Sequence, residues 1–316
     1  MGAVAESVHP RCDPPELPRG AVFRSGFRIG GVSVGIAGRY PDDVTLVPSL
    51  VPFRAETGVP DITLKVEWKD ALRPLSGRQL FDSGCTWRLY EGDSGFRFDF
   101  HIAAFGEQPY KRLFIDRHFS RATLQMNQES FVHSPRTLSP LEYPLDELLI
   151  MHRLTQEKAV EVHGCGIVRA QGTGNLFVGH SGAGKSTTTR LWMEREDVQV
   201  LSDDRIIVRS ETSADRGAMR MFGTPWHGEA AYASPGSAPL DRIFVLEHGE
   251  GNVLTRLSAS QAVAELFARS FVPFHRHEYV NSALEFLQEV VATVPCYRYA
   301  FEPNQGAVER ILEFRD

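Results

Sequence analysis

One string constrains this chain more than anything else in its 316 residues: Gly179-His180-Ser181-Gly182-Ala183-Gly184-Lys185-Ser186. It fulfils Gly-x-x-x-x-Gly-Lys-Ser/Thr, with the apolar Leu176-Phe177-Val178 before it and helical spacing after it. Glycines let the backbone curl until its N–H groups face an anion, and the helix starting there adds its positive end. Such a loop needs a strand on one side and a helix on the other, so the chain must contain an α/β unit. The pattern predicts ATP binding: Lys185 reaches the β- and γ-phosphates and the Ser186 hydroxyl binds Mg2+. Thr187 falls one residue past the metal-binding position.

Strands and helices alternate around that string. Apolar spacing predicts helices over residues 144–158, 186–195, 260–270, 281–292 and 307–314. Strands are expected over 160–168, 176–178, 198–201, 206–208 and 243–246. The first half has another rhythm. Ile62, Leu64, Val66 and Trp68 alternate with polar residues, as do Phe96, Phe98, Phe100 and Ile102. Period two is the mark of half-buried strands, and Gly92-Asp93-Ser94-Gly95 reads as a hairpin turn. The expected organisation is a flexible leader over 1–20, a mostly antiparallel β-rich domain over 21–140, and an α/β P-loop nucleotide-binding domain over 141–316.

Composition narrows the partners. Lys and Arg number 34 against 40 Asp and Glu, and the net charge of −6 is spread evenly along the chain. No basic stripe announces nucleic acid or an anionic membrane. No apolar run is long enough to span a bilayer, and the first residues lack a signal-peptide core. Cys12, Cys85, Cys165 and Cys296 are scattered without a Cys-x-x-Cys pair, as in a reducing compartment. A cytoplasmic protein is expected.

Ser202-Asp203-Asp204 follows an apolar strand, where a carboxylate beside a phosphate loop serves Mg2+. Strand neighbours point to opposite sides, so one carboxylate can face the metal while the other accepts a proton from an attacking hydroxyl. A solvated turn or a capping pair is the plainer alternative. His163, in His163-Gly164, can touch the phosphates or orient the acidic pair; the alternative is a strand histidine satisfied by backbone. For a cation facing transition-state charge, Arg276, Arg205 and Arg242 are equal candidates. In the cluster His275, His277 and Glu278 the two histidines stand two apart without an evident third ligand, so it reads as a surface loop. Trp192, Trp226, Tyr232 and the phenylalanine run read as core or pocket wall.

His163-Gly164, the phosphate loop and Asp203-Asp204, in that order, resemble the HPr kinase/phosphorylase family, whose nucleotide-binding core is similar to that of ATP-dependent phosphoenolpyruvate carboxykinases. The helix over 144–158 running into His163, together with Gly223-Thr224-Pro225-Trp226-His227-Gly228-Glu229, looks like the HPr-kinase-related proteins of peptide-modification gene clusters. Some of those phosphorylate a serine of a lasso-peptide precursor. The resemblance covers about residues 144–316. It implies Lys185 on the transferred phosphate, Ser186 and Asp203 on Mg2+, His163 as the active-site histidine and Asp204 as general base. Glu229 stands near the place of a second metal-binding glutamate. The family's glycine-rich signature after that glutamate is absent, and Thr187 replaces the acidic residue of the bifunctional enzymes. A kinase without the reverse reaction is therefore expected, acting on a serine of a small protein or peptide. Its β-rich region would present that substrate or join a second copy.

Overall fold

The computed structural model describes residues 22–56, 58–132, 139–211 and 218–315. The leader over 1–20 and Cys12 lie outside them. The protein is mixed α/β, built on two large sheets.

The first sheet holds β1 (Phe23–Ile29), β2 (Val32–Gly38), β3 (Ile62–Lys69), β4 (Gln79–Asp82), β5 (Trp87–Glu91), β6 (Gly95–Phe100), β7 (Lys111–Asp116) and β8 (Arg121–Asn127). Their order is β1-β2-β3-β8-β7-β6-β5-β4. β2–β3 and β3–β8 pair in parallel and the other pairings are antiparallel. The expected turn joins β5 to β6, where the Gly92 N–H donates to the Gly95 carbonyl at 3.0 Å. β3 is buried on alternate residues as its period predicts, whereas β6 is buried along its whole length. The reason lies on the face opposite Phe98 and Phe100. There Arg97 donates to the carbonyls of Leu75 and Ser76, Arg112 donates to that of Arg73, and Asp99 pairs with Arg112 at 2.5 Å. The covering segment turns a half-buried strand into a buried one.

After α1 (Gln128–Val132) comes α2 (Leu145–Leu154), five residues shorter than the 144–158 span its apolar spacing predicts. Leu145, Leu148, Leu149, Ile150 and Leu154 join the same core as Phe98, Leu113 and Leu124. By packing, α2 therefore belongs with the first sheet. Asp146 and Glu147 on the same helix turn toward the second sheet, meeting Trp226 and Arg205.

The second sheet contains β9 (Ala159–Arg169), β10 (Gly174–Val178), β11 (Val198–Ser202), β12 (Arg205–Ser210), β13 (Met219–Gly223), β14 (Ser237–His248), β15 (Val253–Arg256), β16 (Ser270–Phe271) and β17 (Cys296–Phe301). Its helices are α3 (Lys185–Met193), α4 (Ala259–Phe267), α5 (His277–Thr293) and α6 (Gln305–Glu313). Alternating side chains build two cores. Val162, Leu176, Ile243 and Val245 pack with Leu266 and Phe286 of α4 and α5. Cys165, Phe177 and Phe244 pack with Trp192 of α3 and Val308 of α6.

β9 organises this half. Its first part pairs with β12 and β16, and its second part with β10 and β11. The change of partners falls at His163 and Gly164: Arg205 opposes His163, and Val178 opposes Gly164. A Cβ on Gly164 would stand 2.8 Å from the Phe177 carbonyl oxygen, so only glycine lets β10 close in. No helix of the described residues is long and apolar enough to cross a membrane.

Candidate active site

The loop 179–186 joins β10 to α3, the strand and helix predicted for it. Gly184 precedes the helix with φ +100°, and its missing Cβ would stand 2.5 Å from Phe301 Cζ. Gly182, at φ +81°, has nothing within 4 Å of where a Cβ would be, so this side of the loop is open. Lys185 is buried, and its ammonium donates to the carbonyls of Gly179 at 3.0 Å and His180 at 3.1 Å. Burial lowers its pKa, partly offset by the charge of Asp204. Ser186 and Thr187 are half-buried in the first turn of α3, and His180 and Ser181 are exposed. The Thr188 hydroxyl is buried without a hydrogen-bond partner. Open glycine backbone, a helix start and a lysine fit a phosphate chain.

Asp203 and Asp204 interrupt a run that follows one edge of β9 from β11 into β12. The Asp204 carbonyl accepts the Gly164 N–H at 2.9 Å, which ties the pair to the switch point of β9. The Asp204 side chain turns to β9, where His163 Nε2 lies 3.0 Å from Oδ1. Burial would raise the Asp204 pKa. The His163 hydrogen bond and the charges of His163, Arg205 and Lys185 outweigh it and hold the carboxyl below its ordinary range. Sequence order therefore becomes one spatial group: loop lysine, histidine and second aspartate.

Asp203 goes the other way. It is 1% exposed, and it accepts the N–H groups of Gly228 (3.0 Å), Ala230 (2.8 Å) and Tyr232 (3.3 Å). The carboxylate expected on the metal holds the 228–232 loop instead. Glu229 rides on that loop and is exposed. Among the described residues, no three His, Cys, Asp or Glu side chains converge into a metal cage. Mg2+ needs no such cage, since it takes one or two protein oxygens and completes its shell with phosphates and water.

Of the three candidate arginines, Arg205 stands at the site. Its Nη1 donates to Glu147 Oε1 at 2.8 Å, and its Nε is 3.6 Å from Glu161 Oε1 and 3.8 Å from Asp204 Oδ2. Phe271 stacks beneath the guanidinium at 4.3 Å. Arg276 pairs with Glu278 and lies over Phe96 and Tyr279, and Arg242 lies over Phe314. Of the residues read as a surface loop, His277 and Glu278 are exposed at the start of α5, while His275 is half-buried. It packs among Phe96, His152 and Tyr279, because helix α5 starts at His277 and draws the preceding turn onto the first sheet. Trp192 and Trp226 are buried, as expected of core or pocket wall.

Two participants escape sequence reasoning. Glu147 looks like an ordinary first-turn acid of a helix, and Glu161 like a solvated strand residue. In the fold Glu161 is 1% exposed, with both carboxyl oxygens lacking a hydrogen-bond partner. The only signal for it was its place two residues before His163, on the same face of a strand.

No family model matches the chain, and no curated protein matches it. The chemistry is therefore read from the site alone. A cavity of about 570 Å³ between β1, β2 and the segment before β3, lined by Arg24, Gly26, Ile36 and Arg54, includes none of these residues. At the site itself an ionised carboxylate, braced by an imidazole, stands within the field of a loop lysine. That arrangement can take a proton from a hydroxyl beside a bound phosphate.

Proposed function

We propose that the protein is an ATP- and Mg2+-dependent kinase of the HPr kinase-like type, transferring the γ-phosphate to a serine hydroxyl of a small protein or peptide. The observation that carries this reading is the His163–Asp204 contact within the field of Lys185. A nucleotide switch needs a positioned water, not a carboxylate oriented by a histidine.

In this reading the 179–186 backbone receives the phosphates, and Lys185 leaves the Gly179 and His180 carbonyls to hold the γ-phosphate. Ser186 offers its hydroxyl to Mg2+, which when bound neutralises phosphate charge. His163 donates to Asp204 Oδ1 and leaves Oδ2 turned to the acceptor. As the serine oxygen forms its bond to phosphorus and the bond to the ADP oxygen breaks, the hydroxyl proton passes to Oδ2. Asp203 keeps the 228–232 loop, with Glu229, against the pair. The enzyme would act in the cytoplasm, on neither nucleic acid nor membrane, with the first sheet presenting the acceptor or meeting a second copy.

The test is transfer of radiolabelled γ-phosphate to candidate serine peptides, with Lys185→Ala as control. Label on peptide with wild type and none with the variant supports the reading. Transfer to a free amino acid or sugar alone would make it a small-metabolite kinase. Fast hydrolysis without acceptor, unaffected by Asp204→Asn, would sink it in favour of an ATPase switch.

A further inference from the structure

Arg205 stands between rival carboxylates. Its register partner on β9 is His163, so it emerges beside the His163–Asp204 pair on the same face of the sheet. It does not close on Asp204. The guanidinium donates to Glu147 at 2.8 Å, whereas its nearest approach to Asp204 Oδ2 is 3.8 Å, beyond hydrogen-bond distance. The Phe271 ring at 4.3 Å fixes its plane from below. Glu147 rides on α2, whose apolar face is locked into the core of the first sheet. The anchor that draws Arg205 aside is therefore set by the N-terminal half of the molecule.

From this geometry we propose that Glu147 is a positioning residue: it holds Arg205 off Asp204, so that Oδ2 stays free for the acceptor hydroxyl. The inference rests on the reading of Asp204 as the base. An arginine closing bidentately on that carboxylate would occupy the lone pairs that must take the proton. Glu161 lies 3.6 Å from Arg205 Nε but does not compete as an equal. It is fully buried, and burial together with the Glu147 charge pushes its carboxyl well above the ordinary range; burial raises Glu147 too, but the Arg205 charge opposes that rise and the guanidinium donates to Glu147 alone at 2.8 Å. The other titratable groups around the guanidinium are Tyr143 beside α2 and His163 on β9, with Lys185 acting on Asp204 from α3.

The experiment is an epistasis test on the full chain. Glu147→Gln keeps the shape and removes the charge, and Glu147→Gln/Arg205→Gln removes the arginine as well. The single variant is expected to lose about tenfold or more in kcat, with KM for ATP within about twofold of wild type. In an Arg205→Gln background the same Glu147→Gln change should cost less than about twofold in kcat, because nothing is left to close on Asp204. If Glu147 merely supported the fold, the change would cost as much in that background as in wild type, and that result overturns the proposal. A crystal structure of Glu147→Gln gives an arm that does not depend on kinase activity. Arg205 within hydrogen-bond distance of Asp204 Oδ2 supports the inference, and an unmoved Arg205 overturns it. Absence of transfer in wild type would instead fault the kinase reading, leaving this structural arm to stand or fall by itself.

Discussion

Asp203 and Asp204 are neighbours in the chain and face opposite ways: one carboxylate accepts three backbone N–H groups, the other meets an imidazole. Their amide variants should therefore fail differently. Asp203→Asn turns an NH2 group toward N–H donors in a site that is 1% exposed. A loss of about 1–3 kcal/mol is expected, together with faster amide exchange at Gly228 and Ala230. Asp204→Asn should melt near the wild-type temperature and lose about 10²–10⁴-fold in transfer rate. Calorimetry beside the transfer assay checks both, and equal stability losses in the two variants would contradict the division.

His152 and His275 predict how stability responds to acid. Their rings lie 5.3 Å apart, and the Nε2 of each is buried without a partner. Burial, with the neighbouring His275, lowers His152 to about 3; burial, with Arg276, lowers His275 to about 4. Both are neutral in the fold, while the unfolded chain takes up protons near pH 6.5. Their stabilisation is complete above about pH 6.5 and is lost as pH falls through the window toward the folded values. For fully buried His152 the slope is about 1.4 kcal/mol per pH unit within it. Measured against His152→Phe, which shares the opposite slope of raised carboxyls such as Asp146, the wild-type urea midpoint should fall from pH 7.5 through 6 to 5. An equally steep decline in the variant would remove His152 as its source.

Much of this was legible where a feature is local. The glycine-rich 179–186 loop, the hairpin before β6 and the order His163, Lys185, Asp204 need only short-range chemistry, and the strands and helix around them are the ones expected. What stayed hidden depends on distant segments. β13 and β17 were not expected as strands, and they become so between distant partners, β13 between β12 and β14 and β17 between β14 and β15. β6 reads as half-buried until the 73–76 segment covers it. The division between Asp203 and Asp204 was foreseen in kind but not in partner, since the 228–232 backbone lies far along the chain. Glu147 could not be read at all, because its meaning comes from Arg205, 58 residues away.

Gly184 tests whether the loop needs its backbone shape. Alanine there faces two penalties, a φ of +100° and a Cβ 2.5 Å from Phe301 Cζ. The positive φ alone costs about 1–2 kcal/mol. Gly184→Ala should weaken binding of a fluorescent ATP analogue by tenfold or more. Adding Phe301→Ala removes the collision and leaves the backbone penalty, so affinity should recover only in part. Wild-type affinity in the single variant would show that the loop does not hold the phosphates.

Trp226 ties the site to α2, since its Nε1–H donates to Asp146 Oδ2 at 2.9 Å in a buried contact. Burial raises Asp146 to about 6, and the indole hydrogen bond works against that rise. Trp226→Phe keeps most of the ring and deletes the donor, so the folded pKa must climb further. A carboxyl raised in the fold is harmless when protonated and loses stability as pH increases through its folded value. The variant should therefore sit close to wild type at pH 5 and fall behind it above pH 6, by about 1–3 kcal/mol at pH 8. Denaturant titrations of both proteins across that range read the difference directly. A gap that is constant with pH would mean that the lost packing of the indole, not the buried, unpartnered charge of Asp146, sets the cost.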